Sequence, residues 1–127
     1  FIDDGKPGKL TMTYTKGLLA LRKSTDAFRL GTKAKCESNI TKIAFKDEAA
    51  SDQVIGYKVV GSDASYYVFV NCDTKNREAT LAEDLTAATV LVDNDEAGTT
   101  AVTTKSGFTL TATNITLEPL TAVIIKK

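Results

Sequence analysis

Apolar side chains recur at helical spacing near the start of the chain, at Leu10, Tyr14, Leu18 and Leu21, with Leu19 beside them. Residues three and four apart share one face of a helix, and the cations Arg22 and Lys23 suit a helix carboxyl end. The spacing predicts one amphipathic helix over about Leu10 to Ser24. Gly17 interrupts it at a cost of about 1 kcal/mol relative to alanine, so a close neighbour is expected against that face. Ahead of the helix, Asp3-Asp4-Gly5 and Lys6-Pro7-Gly8 make Phe1 to Lys9 a turn-rich entry, expected to be mobile at its start. Behind it, Asp26, Phe28 and Gly31 mark a turn.

Beyond Thr32 the pattern shifts to short runs rich in β-branched and aromatic residues, separated by Gly, Asn, Asp and Ser. The runs are Thr41 to Phe45, Val54 to Val60, Tyr66 to Val70, Ala79 to Leu81, Thr89 to Val92, Phe108 to Leu110, Ile115 to Leu117 and Thr121 to Ile125. The prediction is an all-β fold with one N-terminal helix: an antiparallel two-sheet β-sandwich of seven or eight strands. Tyr66 to Val70 is apolar on both alternating sets, as a central strand covered on both faces would be. The expected division is 1–31 for the turn and helix and 32–127 for the sandwich.

Composition removes several function classes. Sixteen basic and sixteen acidic residues give a formal charge of zero, so no electrostatic footprint for nucleic acid or an anionic membrane exists. Apolar runs such as Ala122 to Ile125 fall far short of the roughly 20 residues a spanning helix needs. With no histidine, a mixed Cys/His zinc site cannot form. Cys36, expected in the first strand, and Cys72, at the end of the Tyr66 run, read as two small half-buried hydrophobes, with a disulfide between them geometrically conceivable. Phe1 in place of Met, and no basic segment followed by an apolar signal core, suggest a piece of a longer protein.

Candidate chemistry is sparse. Asp47-Glu48, Asp63, Asp73 and Glu83-Asp84 fall between strands, where carboxylates serve turns and solubility better than glycoside hydrolysis. Asp93-Asn94-Asp95-Glu96-Ala97-Gly98 opens like a calcium loop, but Ala97 and Thr104 stand where an EF-hand needs Asp or Asn and then Glu. A turn is the better reading. Asn39-Ile40-Thr41 and Asn114-Ile115-Thr116 match a glycosylation pattern too short to carry weight. Serines lack a histidine partner, and no glycine set opens a phosphate cradle. Exposed tyrosines can stack on sugars, yet Tyr57, Tyr66 and Tyr67 lie in runs that favour the core. No residue is assigned a catalytic, cofactor-binding or metal-binding role.

Three blocks together carry a family resemblance. LLALRKSTDAFRLGT, Leu18 to Thr32, resembles the segment closing the catalytic barrel of pullulanase-type starch-debranching enzymes of the α-amylase superfamily. VIGYKVV at Val54 to Val60, with YYVFVNCDTK at Tyr66 to Lys75, resembles paired strands of their carboxyl-terminal β domain, and ITLEPLTAVIIKK at Ile115 to Lys127 its last strand. TLEPLTA and VLVDNDEAGTTA (Val90 to Ala101) are similar to surface pullulanases of Gram-positive cocci. The resemblance implies a non-catalytic domain that packs beside the barrel and stabilises it, in an enzyme that cleaves α-1,6 bonds of pullulan and branched glucans. It places the catalytic aspartates and glutamate upstream of this chain and implies an extracellular or cell-surface setting. The barrel is expected near Leu10, Tyr14, Leu18 and Leu21, and the isolated piece to self-associate through that stripe. Weak α-glucan contact is a further expectation. Competing classes are a stand-alone immunoglobulin-like binding or adhesion module and the β domain of an isoamylase or branching enzyme.

Overall fold

The computed structural model describes residues 7–127. Helix α1 runs Pro7–Ser24, starting three residues before the predicted start. Proline suits a first helical position, because its missing N–H would have no intrahelical partner there. So Pro7 to Lys9 belong to the helix rather than the entry turn, and the rest of that entry, Phe1 to Lys6, lies outside the described residues. At the other end Arg29 caps the helix, its guanidinium donating to the carbonyl oxygens of Arg22 at 3.0 Å and Thr25 at 3.2 Å. The chain turns at Asp26, whose carbonyl accepts from Arg29 N–H at 2.9 Å, and again at Gly31, φ 83°.

A second helix corrects the expectation of strand throughout. Helix α2, Lys33–Asn39, holds Cys36. Its sequence lacks β-branched residues, and Thr32 caps it by accepting the Lys35 N–H at 3.2 Å. The cysteines are both free; Cys36 is half-buried, but Cys72 is exposed rather than half-buried.

The remainder is a two-sheet antiparallel sandwich of eight strands. Five form one sheet in the order β1-β2-β3-β8-β5: β1 Ile40–Lys42, β2 Val54–Val60, β3 Ser65–Asn71, β8 Thr121–Lys126 and β5 Thr89–Val92. Three form the other in the order β4-β7-β6: β4 Arg77–Thr80, β7 Asn114–Leu117 and β6 Phe108–Leu110. The predicted first strand divides. Ile40 to Lys42 pair with β2, after which the chain crosses over and Phe45 bridges to Ala79 of the other sheet.

Two cores result. Between the sheets lie Phe69, Leu85, Ile115, Leu117, Val123 and Ile125. On the outer face of the five-stranded sheet, Val59, Tyr66, Leu91 and Val92 are covered by Leu21 and Ala27, with Phe28 edge-on to Tyr66 at 5.2 Å. Strand β3 is therefore covered on both faces, as its sequence predicts. Each large side chain buried this way contributes about 1.5–3 kcal/mol. A register shift between Val90 and Val92 in β5 lets three consecutive residues be buried. Among the described residues, no helix is long and apolar enough to cross a membrane.

Candidate functional site

The surface with the most chemistry to explain is where α1 meets the sandwich. Tyr14, Gly17 and Leu21 share one side of the helix. The Tyr14 hydroxyl donates to the Asp93 carbonyl oxygen at 2.7 Å, Gly17 lies against the Ala97 backbone, and Leu21 enters the outer core. Burial first, then the nearby charges of Asp93 and Asp95, push the Tyr14 phenol above its ordinary pKa. Below the helix, Thr25 donates to Asp63 Oδ1 at 2.6 Å, and the Tyr66 hydroxyl donates to Asp63 Oδ2 at 2.7 Å. The Ser62 N–H donates to Asp26 at 2.9 Å. The helix is thus held at its middle and just past its carboxyl end.

Only part of the expected apolar stripe is consumed. Tyr14 and Leu21 pack on the sandwich, whereas Leu10 is 62% exposed and Leu18 also stays open. At 100° per residue, Met12 and Leu19 project about 150° away from Tyr14, and both are exposed. On that outer side Met12 and Leu19 stand among Lys9, Lys16 and Lys23, so helix α1 turns a mixed apolar and basic face away from the sandwich.

The acidic loop beside it is organised by its own backbone. Asp93 is fully buried, and its carboxylate accepts N–H groups of Asp95 at 3.1 Å, Glu96 at 2.9 Å and Ser106 at 3.0 Å. Glu96 accepts from the Thr103 and Thr104 N–H groups, which hold its carboxyl below the usual range. Oxygens of Asp93, Asp95 and Glu96 do converge within 4.8 Å, and hydrogen bonding to Asp93 raises the Asp95 pKa. All three hydrogen bonds to Asp93 tie the loop to itself, which is turn chemistry.

The other carboxylates are similarly engaged. Glu48 accepts the Phe45 N–H, Asp84 binds Thr86, and Glu83 pairs with Lys58 at 3.1 Å and Lys127 at 2.6 Å. Asp52 and Asp73 flank the buried Arg77 guanidinium, each at 3.0 Å. Sequence reasoning missed Arg77, and it missed Asn71, a buried amide that donates to the carbonyls of Lys75, Leu117 and Glu118. None of the three tyrosines forms an open platform: Tyr66 and Tyr67 are buried and Tyr57 is half-buried.

Residues 39–127, the whole sandwich, match a family model described as SpuA C-terminal. The chain belongs to the SpuA C-terminal family. It is 36% identical to pullulanase A of Streptococcus pneumoniae serotype 2 (strain D39 / NCTC 7466) over 89% of its own length and 10% of that protein. It therefore spans about a tenth of the curated relatives it matches. Among solved structures it superposes on the catalytic module of SpuA, a multi-modular glycogen-degrading pneumococcal virulence factor, with TM-score 0.84 and 34% identity. That match covers 94% of this chain and 18% of the module. A group B Streptococcus pullulanase, SAP, matches with TM-score 0.82 and 35% identity over 94% of this chain and 16% of that one. SpuA C-terminal domains thus occur at the end of pullulanases of Gram-positive cocci.

Proposed function

We propose that this chain is the non-catalytic carboxyl-terminal domain of a pullulanase-type glycoside hydrolase that cleaves α-1,6 bonds in pullulan and branched α-glucans. In that reading, 32–127 is the β-sandwich domain and 1–31 is the remnant of the barrel end. Its role is to pack beside the catalytic barrel and stabilise it. The observation that carries the reading is helix α1, whose Met12 and Leu19 stay exposed on the face turned away from the sandwich. Relatives roughly ten times longer supply the body such a face would cover. Leu10 and Leu18, also open, flank Tyr14 on the other side of the helix and add to its exposed apolar surface. Weak contact with the glucan and an extracellular or cell-surface setting belong to the same reading. Without its barrel, the isolated chain self-associates through α1.

The deciding experiment assays pullulan hydrolysis by the full-length parent and, beside it, by this chain at high concentration. Activity in the parent alone is expected. A parent active on linear starch but not pullulan would reject the debranching assignment, and activity in the chain itself would reject the non-catalytic role. The family match favours this reading over a stand-alone adhesion module.

A further inference from the structure

At the edge of the sandwich where the chain leaves β1 for the other sheet, the two sheets stand apart. The segment 41–46 forms one wall, anchored by Lys46 N–H donating to the Glu78 carbonyl at 2.7 Å. Residues 80–83, from the last residue of β4 onward, form the other, and Tyr67 and Lys58 lie between them. The cleft holds about 670 Å³, within the roughly 300–1,000 Å³ usual for small-molecule sites. Tyr67 is only 4% exposed. Among the described residues its hydroxyl is the one buried side-chain polar atom without a hydrogen-bond partner. Buried hydroxyls are nearly always paired, so an orphan one in a cleft points to a ligand.

Charge decides the ligand class. Lys58 sits 5.3 Å over the Tyr67 ring and pairs with Glu83, Lys42 pairs with Glu48 at 3.2 Å, and Lys46 with Glu78 at 3.3 Å. Every cation around the cleft has a carboxylate, leaving no surplus for an anionic or cationic guest. Apolar walls from Ile43 and Leu81 suit a molecule with a hydrocarbon face. The orphan hydroxyl and the adjacent Lys58 donor and Glu83 acceptor suit one that both donates and accepts hydrogen bonds. A neutral pyranose meets all three conditions.

We propose that the cleft floored by Tyr67 and Lys58 is a subsite for glucose units of an α-glucan. This deepens the pullulanase reading, on which its choice of glucan rests. The test is an NMR titration of this chain with maltotetraose, with the β-linked cellotetraose as control. Expected are saturating shift changes confined to Lys58, Tyr67, Leu81 and Glu83, with Kd of about a millimolar. Tyr67→Phe should weaken binding about three- to tenfold, the value of one hydrogen bond, without lowering thermal stability. Ala82→Arg, at the exposed mouth, should abolish binding in a chain whose spectrum stays folded. No shifts at saturating maltotetraose, shifts elsewhere, or equal binding by Tyr67→Phe would overturn the subsite. Pullulan hydrolysis by the parent is read independently, so a silent cleft in an active enzyme defeats only the subsite. Binding in a parent inactive on pullulan defeats only the debranching role.

Discussion

Gly17 of helix α1 and Ala97 of the acidic loop meet backbone to backbone. A Cβ built on Gly17 would overlap the Ala97 carbonyl, whose carbon would be 2.5 Å away. Helix propensity alone favours Gly17→Ala by about 1 kcal/mol, whereas forcing a methyl into packed backbone costs about 1–3 kcal/mol. The clash is with backbone that Asp93 holds in place, so destabilisation should win. Urea denaturation should show a lower midpoint for Gly17→Ala, and a higher one would mean that α1 does not dock on this loop.

Asn71 has no solvent exposure and joins the β3 end to the carbonyls at the end of β7. Asn71→Ala removes the amide and strands those acceptors, each buried unpaired group costing about 1–3 kcal/mol. A loss in that range is expected by chemical denaturation. A neutral substitution would show that the 71–75 turn does not hold the two sheets together.

Acid should unfold the protein through the Arg77 cluster. The Ala49 N–H, then Arg77, hold Asp52 below the usual carboxylate range, and the Thr74 N–H, then Arg77, do the same for Asp73. A carboxyl whose folded pKa lies below its unfolded value of about 3.9 stabilises the fold above that value. That stability is lost as pH falls through the folded value. Melting temperature should therefore hold steady down to about pH 5 and drop below about pH 4. Arg77→Met should lower stability at neutral pH and flatten the acid limb; an unchanged acid limb would remove these pairs as its cause.

Leu19 is 56% exposed and touches neither core. Leu19→Glu should change the stability of this chain by no more than about 0.5 kcal/mol. In sedimentation it should shift self-association toward monomer, and in the parent it should lower the melting temperature. A parent indifferent to the change would place the barrel contact elsewhere.

The sandwich was legible because its signals are local. Alternation and turn residues located all eight strands within a few positions, and the double apolar pattern of Tyr66 to Val70 put β3 at the centre. Gly17 was legible as a cost that needed a neighbour. Helix α2 was not, because Lys33–Asn39 is a single capped stretch between a turn and a strand, too short to show a period. The stripe from Leu10 to Leu21 shows in the sequence as one face, but how much of it the sandwich takes depends on where Ala97 and Leu91 arrive from. Arg77 and Asn71 escaped for the same reason, since their partners Asp52 and Leu117 lie 25 and 46 residues away. Nor did the sequence show the Tyr67 cleft, which exists only because the chain changes sheets at Phe45.

The family signature begins at residue 39, yet Leu21, Ala27 and Phe28 lie upstream of it and cover Val59, Tyr66 and Leu91. A protease cutting near Gly31 would therefore not liberate an intact sandwich. It would uncover one side of the larger sheet and leave apolar surface that favours aggregation. What is inherited as a recognisable unit is shorter than what must fold as one, so recombination that moves this domain between enzymes has to carry α1 with it.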